Sequence, residues 1–140
     1  MKASTTHVMA MFATAAFVSA SGAALAQPQP IQETQGVEIS HEAAVDLAPW
    51  ANDMNGRRLR IRKVTIQPGG IVGVHSHDDR PDASYLIQGS LTEYRTGGFR
   101  QERGPDTEHT AGKNVVHWQV NEGRVPAILI VVDVYKPAQP

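Results

Sequence analysis

The sequence has no cysteine and little net charge, and both absences narrow what the protein can be. Without cysteine among its 140 residues the fold has no disulfide bond, and a metal site must use histidine and carboxylate ligands rather than thiolates. The 13 basic and 14 acidic residues give a formal charge of −1 at pH 7. A near-neutral chain argues against nucleic acid or an anionic membrane as the main partner, because basic patches bind both.

The longest uncharged stretch lies at the N-terminus, where no residue from Val8 to Ala26 is charged. The basic start at Lys2, the apolar stretch and the Ala-Leu-Ala ending at Ala26 are typical of a secretory signal peptide. The apolar part is shorter than the roughly 20 residues of a membrane-spanning helix. We therefore expect a signal peptide at 1–26, cleavage after Ala26, no stable membrane insertion afterwards, and a periplasmic or secreted protein.

The rest of the chain has a length that suits one domain. Residues 27–40 are rich in proline and glutamine at their start, and we expect them to form an extended lead-in to a domain over 41–140. Residues 41–50 carry a weak apolar stripe, which leaves a short helix or an edge segment open.

After residue 57 the apolar residues alternate with a period of two, and glycine- and proline-rich turns separate the alternating segments. This pattern is typical of a β-sandwich or β-barrel, so the predicted fold class is all-β. The predicted strands run from Arg58 to the turn at Pro68, and then over 71–77, 82–88, 91–95, 115–120 and 127–135.

A row of arginines, Arg58, Arg60 and Arg62, shares one face of the first predicted strand. Such a row usually lies on a solvated surface. The alternative is that one of the three reaches an anionic ligand, because arginine pairs with carboxylates through two parallel hydrogen bonds.

Two histidines, His75 and His77, lie at the end of the second predicted strand. Residues i and i+2 of a strand point to the same side, so both imidazoles face one pocket and could share a metal ion. The pair alone is weak evidence, because surface histidines produce the same spacing by chance.

The neighbourhood of the pair resembles the first motif of the cupin superfamily. That motif is Gly, five residues, His-x-His, three or four residues, Glu, six residues and Gly. In this chain Gly69, His75, His77, Asp82 and Gly89 stand at these spacings, with aspartate in place of the glutamate.

The second cupin motif ends in His, three residues and Asn, and His117 and Asn121 stand in that relation. The resemblance implies a single cupin-type double-stranded β-helix, which is a jelly-roll barrel. It also implies that His117 joins the first two histidines as a metal ligand, and that Asn121 closes a turn. Cupins often form homodimers, so a homodimer is permitted.

By the same resemblance Asp82 takes the place of a ligating glutamate. Its side chain is one methylene shorter, so it either binds the metal directly or orients a histidine by a hydrogen bond. Histidine ligands suit a divalent transition metal such as Mn, Fe, Ni, Cu or Zn.

Other polar residues are weaker candidates. Glu93 and Tyr94 lie on opposite faces of one predicted strand, so one of them should face the pocket. His109 lies near the second motif, and Glu108 beside it could approach the ion, but we expect His109 to be an exposed turn residue. Trp118 should face away from the ligands.

Two functions are compatible with these residues. One is a metal-dependent oxygenase, for example a dioxygenase, or an isomerase acting on a small organic molecule. The other is a non-catalytic module that binds a small molecule or the metal itself. Whether the protein is an enzyme stays open, because the fold hosts both and no general acid or base is evident.

Overall fold

The computed structural model describes residues 29–137, and the predicted signal peptide lies outside them. The described chain is nearly all strand and forms a nearly closed antiparallel barrel, as the all-β prediction required. Within residues 29–137 no helix is long and apolar enough to cross a membrane. The elements are β1 (Gln35–Asp46), a 3-10 helix (Asn52–Met54), β2 (Arg58–Ser76), β3 (Asp82–Gln88), β4 (Leu91–Arg95), β5 (Arg100–Arg103), β6 (Thr107–Ala111), β7 (Val116–Val120) and β8 (Ala127–Tyr135).

The strands pair in the order β5-β4-β7-β2-β8-β3-β6, and β1 also pairs with β2. The 19-residue strand β2 joins the two sides of the barrel. Its first half pairs with β1 and β8, and its second half pairs with β7. The sequence predicted two strands here, because Pro68-Gly69-Gly70 is a turn signal. The structure has one strand that changes partners at this point, where Gly69 has a φ of +74°.

Residues 41–50 contain no α-helix, and the edge-segment alternative is confirmed over residues 41–46. β1 starts at Gln35 and continues past residue 40, so it includes the last residues of the expected lead-in over 27–40. It pairs with β2 through contacts such as Ala43 with Ile61. Strands β5 and β6 were not predicted, because neither short segment has a regular apolar alternation.

The apolar core of the barrel consists of Val64, Ile66, Leu86, Leu91, Ala127, Leu129 and Val131. Glycine is required at Gly89, where φ is +78° and an added Cβ would lie 2.6 Å from the carbonyl oxygen of Pro126. This close approach explains the last glycine of the first motif.

Asn121 is fully buried after β7. Its side-chain amide donates to the carbonyl oxygens of Ile66 at 2.8 Å and Val125 at 2.9 Å. Its Oδ1 accepts from the backbone N–H of Gly123 at 3.0 Å. These bonds agree with the turn-closing role implied by the resemblance.

Candidate metal centre

The barrel brings His75, His77 and His117 together. His75 lies at the end of β2, His77 follows directly after that strand, and His117 stands directly opposite His75 on β7. The ring centroids are separated by 4.8, 4.6 and 4.8 Å, which makes a nearly equilateral triangle. The three histidines predicted from the two motifs therefore form one cluster.

The hydrogen bonds of the three rings determine which nitrogen carries the proton. Nδ1 of His75 lies 2.8 Å from the carbonyl oxygen of Gly73, and Nδ1 of His77 lies 2.9 Å from that of Arg80. A carbonyl oxygen only accepts, so each Nδ1 is the donor. Nδ1 of His117 donates in the same way to a carboxylate oxygen of Glu93, at 2.9 Å.

Since every Nδ1 holds a proton, each Nε2 of a neutral ring presents a lone pair. Nε2 of His117 lies 2.9 Å from Nε2 of His77 and 3.0 Å from Nε2 of His75. Three lone pairs facing one another repel unless a cation lies among them. Nitrogens bound at right angles to one ion, with bonds of about 2.0–2.1 Å, would be about 2.8–3.0 Å apart. The donor set and its spacing therefore fit a transition metal ion.

Burial keeps the rings of His75 and His77 neutral at physiological pH. It lowers the pKa of His75 from 6.5 to about 4, with a smaller contribution from the neighbouring rings of His117 and His77. The pKa of His77 is also lowered, again mainly by burial. Neutral imidazole is the form that binds metal.

Asp82 approaches this cluster from outside. Its Oδ2 is 3.7 Å from Nδ1 of His77, which is the nitrogen that faces away from the other rings. One candidate ligand atom from each of the three histidines lies within 4.8 Å of the other two, and this group does not include Asp82. Its Oδ1 is buried without a hydrogen-bond partner among residues 29–137. This geometry argues against direct ligation, and at 3.7 Å from a nitrogen that already donates to Arg80 the carboxylate orients His77 only weakly.

Glu93 is the member of the Glu93 and Tyr94 pair that faces the histidines. It is fully buried on β4, and its Oε1 accepts hydrogen bonds from His117 at 2.9 Å and from Nε of Arg95 at 2.7 Å. Burial alone would raise the pKa of Glu93, but hydrogen bonds from His109, His117 and Arg95 lower it below its usual range. Strand alternation had limited the choice to Glu93 or Tyr94, and Tyr94 instead stacks on Trp118 with centroids 5.5 Å apart.

His109 is not the exposed turn residue that we expected. It lies on β6 with its side chain 9% exposed, and its Nε2 is 2.8 Å from Oε2 of Glu93. Its ring stacks on His117 with centroids 5.7 Å apart. Glu93, His109 and His117 form a second group of atoms close enough to share an ion. No sequence signal indicated this placement, because β6 lacks a strand-like apolar pattern.

A cavity of about 70 Å³ lies beside the histidines. His75 and His117 line it, together with Asp82, Arg62 and Arg80. The cavity joins the candidate ligands to two guanidinium groups.

Among known proteins, no family model matches this sequence, and no curated protein is significantly similar to it. Solved structures are similar. An oxalate oxidase in complex with the substrate analogue glycolate matches with a TM-score of 0.54 and 18% identity, over 74% of this chain and 53% of that chain. A predicted oxalate decarboxylase from Thermotoga maritima gives 0.53 and 17%, over 76% and 90%. The Cupin_2 domain of an XRE family transcriptional regulator from Enterobacter cloacae gives 0.50 and 15%, over 74% and 100%. The barrel has the cupin fold.

This chain spans about half the length of the oxalate oxidase that it matches. At such low identities the similarity establishes the fold and leaves the substrate open. The cupin fold agrees with the jelly-roll barrel implied by the two histidine motifs.

Proposed function

We propose that this protein is an exported cupin enzyme that binds one divalent transition metal ion through His75, His77 and His117 and acts on a small organic molecule. The observation that carries the metal site is the convergence of three Nε2 lone pairs at 2.9 and 3.0 Å while every Nδ1 proton is held elsewhere. Export rests on the signal-peptide pattern at 1–26.

The bound metal would act as a Lewis acid that polarises an oxygen atom of the substrate. The surrounding residues have separate tasks. Glu93 holds the Nδ1 proton of His117 and so fixes the ring with Nε2 facing inward. Asp82 lines the cavity with a buried Oδ1 that has no partner in the described part of the chain, which makes it the group best placed to accept a proton from a bound molecule.

Enzymatic activity is favoured by this free carboxylate beside a cavity that opens onto the histidines. Two of the structural relatives carry enzyme names, oxalate oxidase and predicted oxalate decarboxylase, so we favour oxygen-dependent or carbon–carbon bond chemistry, or an isomerisation. The second candidate function is a non-catalytic binding module. The relative from Enterobacter cloacae supports it, because the whole of that domain matches and it comes from a transcriptional regulator.

Metal content tests the proposal directly. The protein is purified without a histidine tag, and bound metals are measured by mass spectrometry for wild type, His75→Ala and His41→Asn. His41 is the matched control, because it is exposed on β1 and its φ of 51° is one that asparagine tolerates. We expect about one ion per chain in wild type and His41→Asn and almost none in His75→Ala. A full complement of metal in His75→Ala would refute the site.

Catalysis is tested next on the metal-loaded protein. Oxygen consumption and product formation are followed with catechols, diketones and small carboxylic acids. Turnover that disappears in His75→Ala and persists in His41→Asn supports the enzyme. Metal binding without turnover or product on any of these compounds supports the binding module instead.

A further inference from the structure

Arg62 is a buried arginine without an adequate partner among residues 29–137. Its side chain is 11% exposed, it lines the cavity beside the histidines, and its Nε has no hydrogen-bond partner in that part of the chain. Its Nη2 makes one long hydrogen bond to Oδ2 of Asp133, at 3.5 Å. Burial lowers the pKa of Arg62 despite the attraction of Asp133, which reflects the cost of removing the guanidinium from water.

Asp133 does not satisfy Arg62, because other arginines already occupy it. Arg60 binds both of its oxygens, with Nε at 2.9 Å from Oδ1 and Nη2 at 2.7 Å from Oδ2. Nε of Arg80 is a further 3.4 Å from the same Oδ2. One buried carboxylate thus faces three guanidinium groups, and the Nε–H of Arg62 still lacks an acceptor within the described chain. A buried donor without an acceptor is costly, so an additional acceptor at this place would be favourable.

The charged lining residues and the volume of the cavity indicate the charge and the size of a ligand that could supply a hydrogen-bond acceptor to Arg62. Of its charged lining residues two are cationic, Arg62 and Arg80, and one is anionic, Asp82, so an anion is favoured. Its volume is about 70 Å³, well below the roughly 150 Å³ of a cavity that holds benzene. The ligand must therefore have only a few heavy atoms. The remaining wall is largely apolar and is formed by Val64, Ile66, Val72, Leu129 and Val131.

We propose that this cavity binds a small carboxylate, anchored by the guanidinium group of Arg62 in a space that His75 and His117 also line. This inference gives a substrate class to the proposed metal-dependent function and rests on it. Arg62 would then be the residue that selects acids over neutral molecules, because its planar fork matches the two oxygens of a carboxylate.

The experiment uses ¹⁵N-labelled, zinc-loaded protein, because zinc is diamagnetic and permits nuclear magnetic resonance spectra of the arginine Nε–H groups. Acetate is titrated in, and acetamide serves as a neutral analogue of the same size. We expect acetate to shift the Arg62 Nε–H resonance with saturation and acetamide to bind at least tenfold more weakly. Equal affinity for the two compounds, or no shift of Arg62 with acetate, would overturn the proposal without requiring any variant.

Variants provide a second test. Arg62→Lys keeps the charge and removes the fork, and we expect acetate affinity to fall about tenfold or more. Arg58→Lys is the matched control, because Arg58 is exposed on the same strand, and its acetate affinity should equal that of wild type. Unchanged affinity in a folded, zinc-loaded Arg62→Lys would overturn the role of Arg62.

The zinc content of each sample separates this inference from the function on which it rests. A protein that retains no zinc refutes the metal centre. In such a sample, an acetate-dependent shift of Arg62 still supports the anion site, and its absence overturns the anion site as well.

Discussion

Glu93 should control metal affinity although it is not expected to touch the metal. The substitution Glu93→Gln removes one negative charge and keeps the size and shape of a fully buried side chain. The amide oxygen can still accept from Nδ1 of His117, and the amide N–H₂ can face Nε2 of His109. We therefore expect Glu93→Gln to fold and to bind metal more weakly.

The magnitude follows from the type of hydrogen bond that is lost. A bond to a charged group contributes about 1.5–3 kcal/mol and a neutral one about 0.5–1.5 kcal/mol, so the bond at Nδ1 of His117 weakens by about 1–1.5 kcal/mol. Loss of the attraction between the carboxylate and the ion adds to this. Together these effects correspond to about a 10–100-fold weaker metal affinity, which is the usual effect of removing a group that orients a metal-binding histidine.

Competition with a colorimetric chelator for zinc measures this change, and Asp82→Asn is the matched comparison. The Oδ2 atom of Asp82 is 3.7 Å from His77, whose Nδ1 proton is already bound to the Arg80 carbonyl oxygen at 2.9 Å. We expect Asp82→Asn to weaken binding by less than about threefold. A larger loss in Asp82→Asn than in Glu93→Gln would show that Asp82 binds the metal directly, and the reasoning about Glu93 would be refuted.

Three further predictions concern the stability of the fold. The lowered pKa of His75, about 4 against 6.5 in an unfolded chain, means that between these values the unfolded state binds more protons. The metal-free protein should therefore lose up to about 3 kcal/mol as pH falls from 7 to 4, and urea unfolding that is independent of pH in this range would contradict it. Asn121→Ala removes the buried hydrogen bond to the Ile66 oxygen and a second one to the Val125 oxygen, and it should cost about 2–4 kcal/mol in urea unfolding at pH 7. A cost below about 1 kcal/mol would show that the turn does not depend on Asn121. Gly89→Ala should cost about 2–4 kcal/mol by the same assay, because its Cβ would lie 2.6 Å from the Pro126 oxygen. Gly97→Ala, with a φ of +84° and open space around it, should cost only the backbone strain of about 1 kcal/mol, and equal losses in the two variants would remove the steric reason.

The part of the fold that could be predicted is the part with a regular apolar alternation. β3, β4 and β8 have the bounds expected from the sequence, and β7 differs by one residue. β5 and β6 are short and polar because they lie at the two ends of the sheet order, where little apolar surface is buried. Their strand conformation depends on the pairing of β5 with β4 and of β6 with β3, which a local pattern does not show.

The site divides in the same way. The three histidines were predicted because two sit at i and i+2 of one strand and the third belongs to a motif with fixed spacing. His109 was missed and the choice between Glu93 and Tyr94 was left open, because the approach of Glu93 and His109 to His117 depends on how the barrel closes. The role of Asp82 was left between two alternatives, since the sequence does not show which nitrogen of His77 it approaches.

The two ends of the cavity come from the two halves of β2, and this connects the fold to the proposed chemistry. Arg62 lies before the Pro68-Gly69-Gly70 bend, in the half that pairs with β8, and His75 lies after it, in the half that pairs with β7. A straight strand would place residues 13 positions apart about 43 Å from each other, at roughly 3.3 Å per residue. The bend instead makes both residues line one cavity of about 70 Å³. The backbone N–H of Gly69 donates to the backbone carbonyl oxygen of Asn121 at 2.8 Å. Because Asn121 is four residues after His117, the hydrogen bond that holds the bend also anchors the strand of the third histidine. The distance between the arginine and the histidines is therefore a property of one bent strand and its turn. The φ of +74° at Gly69 gives a physical reason for glycine in the first motif, and the side-chain hydrogen bond of Asn121 to the Ile66 oxygen at 2.8 Å gives one for asparagine in the second.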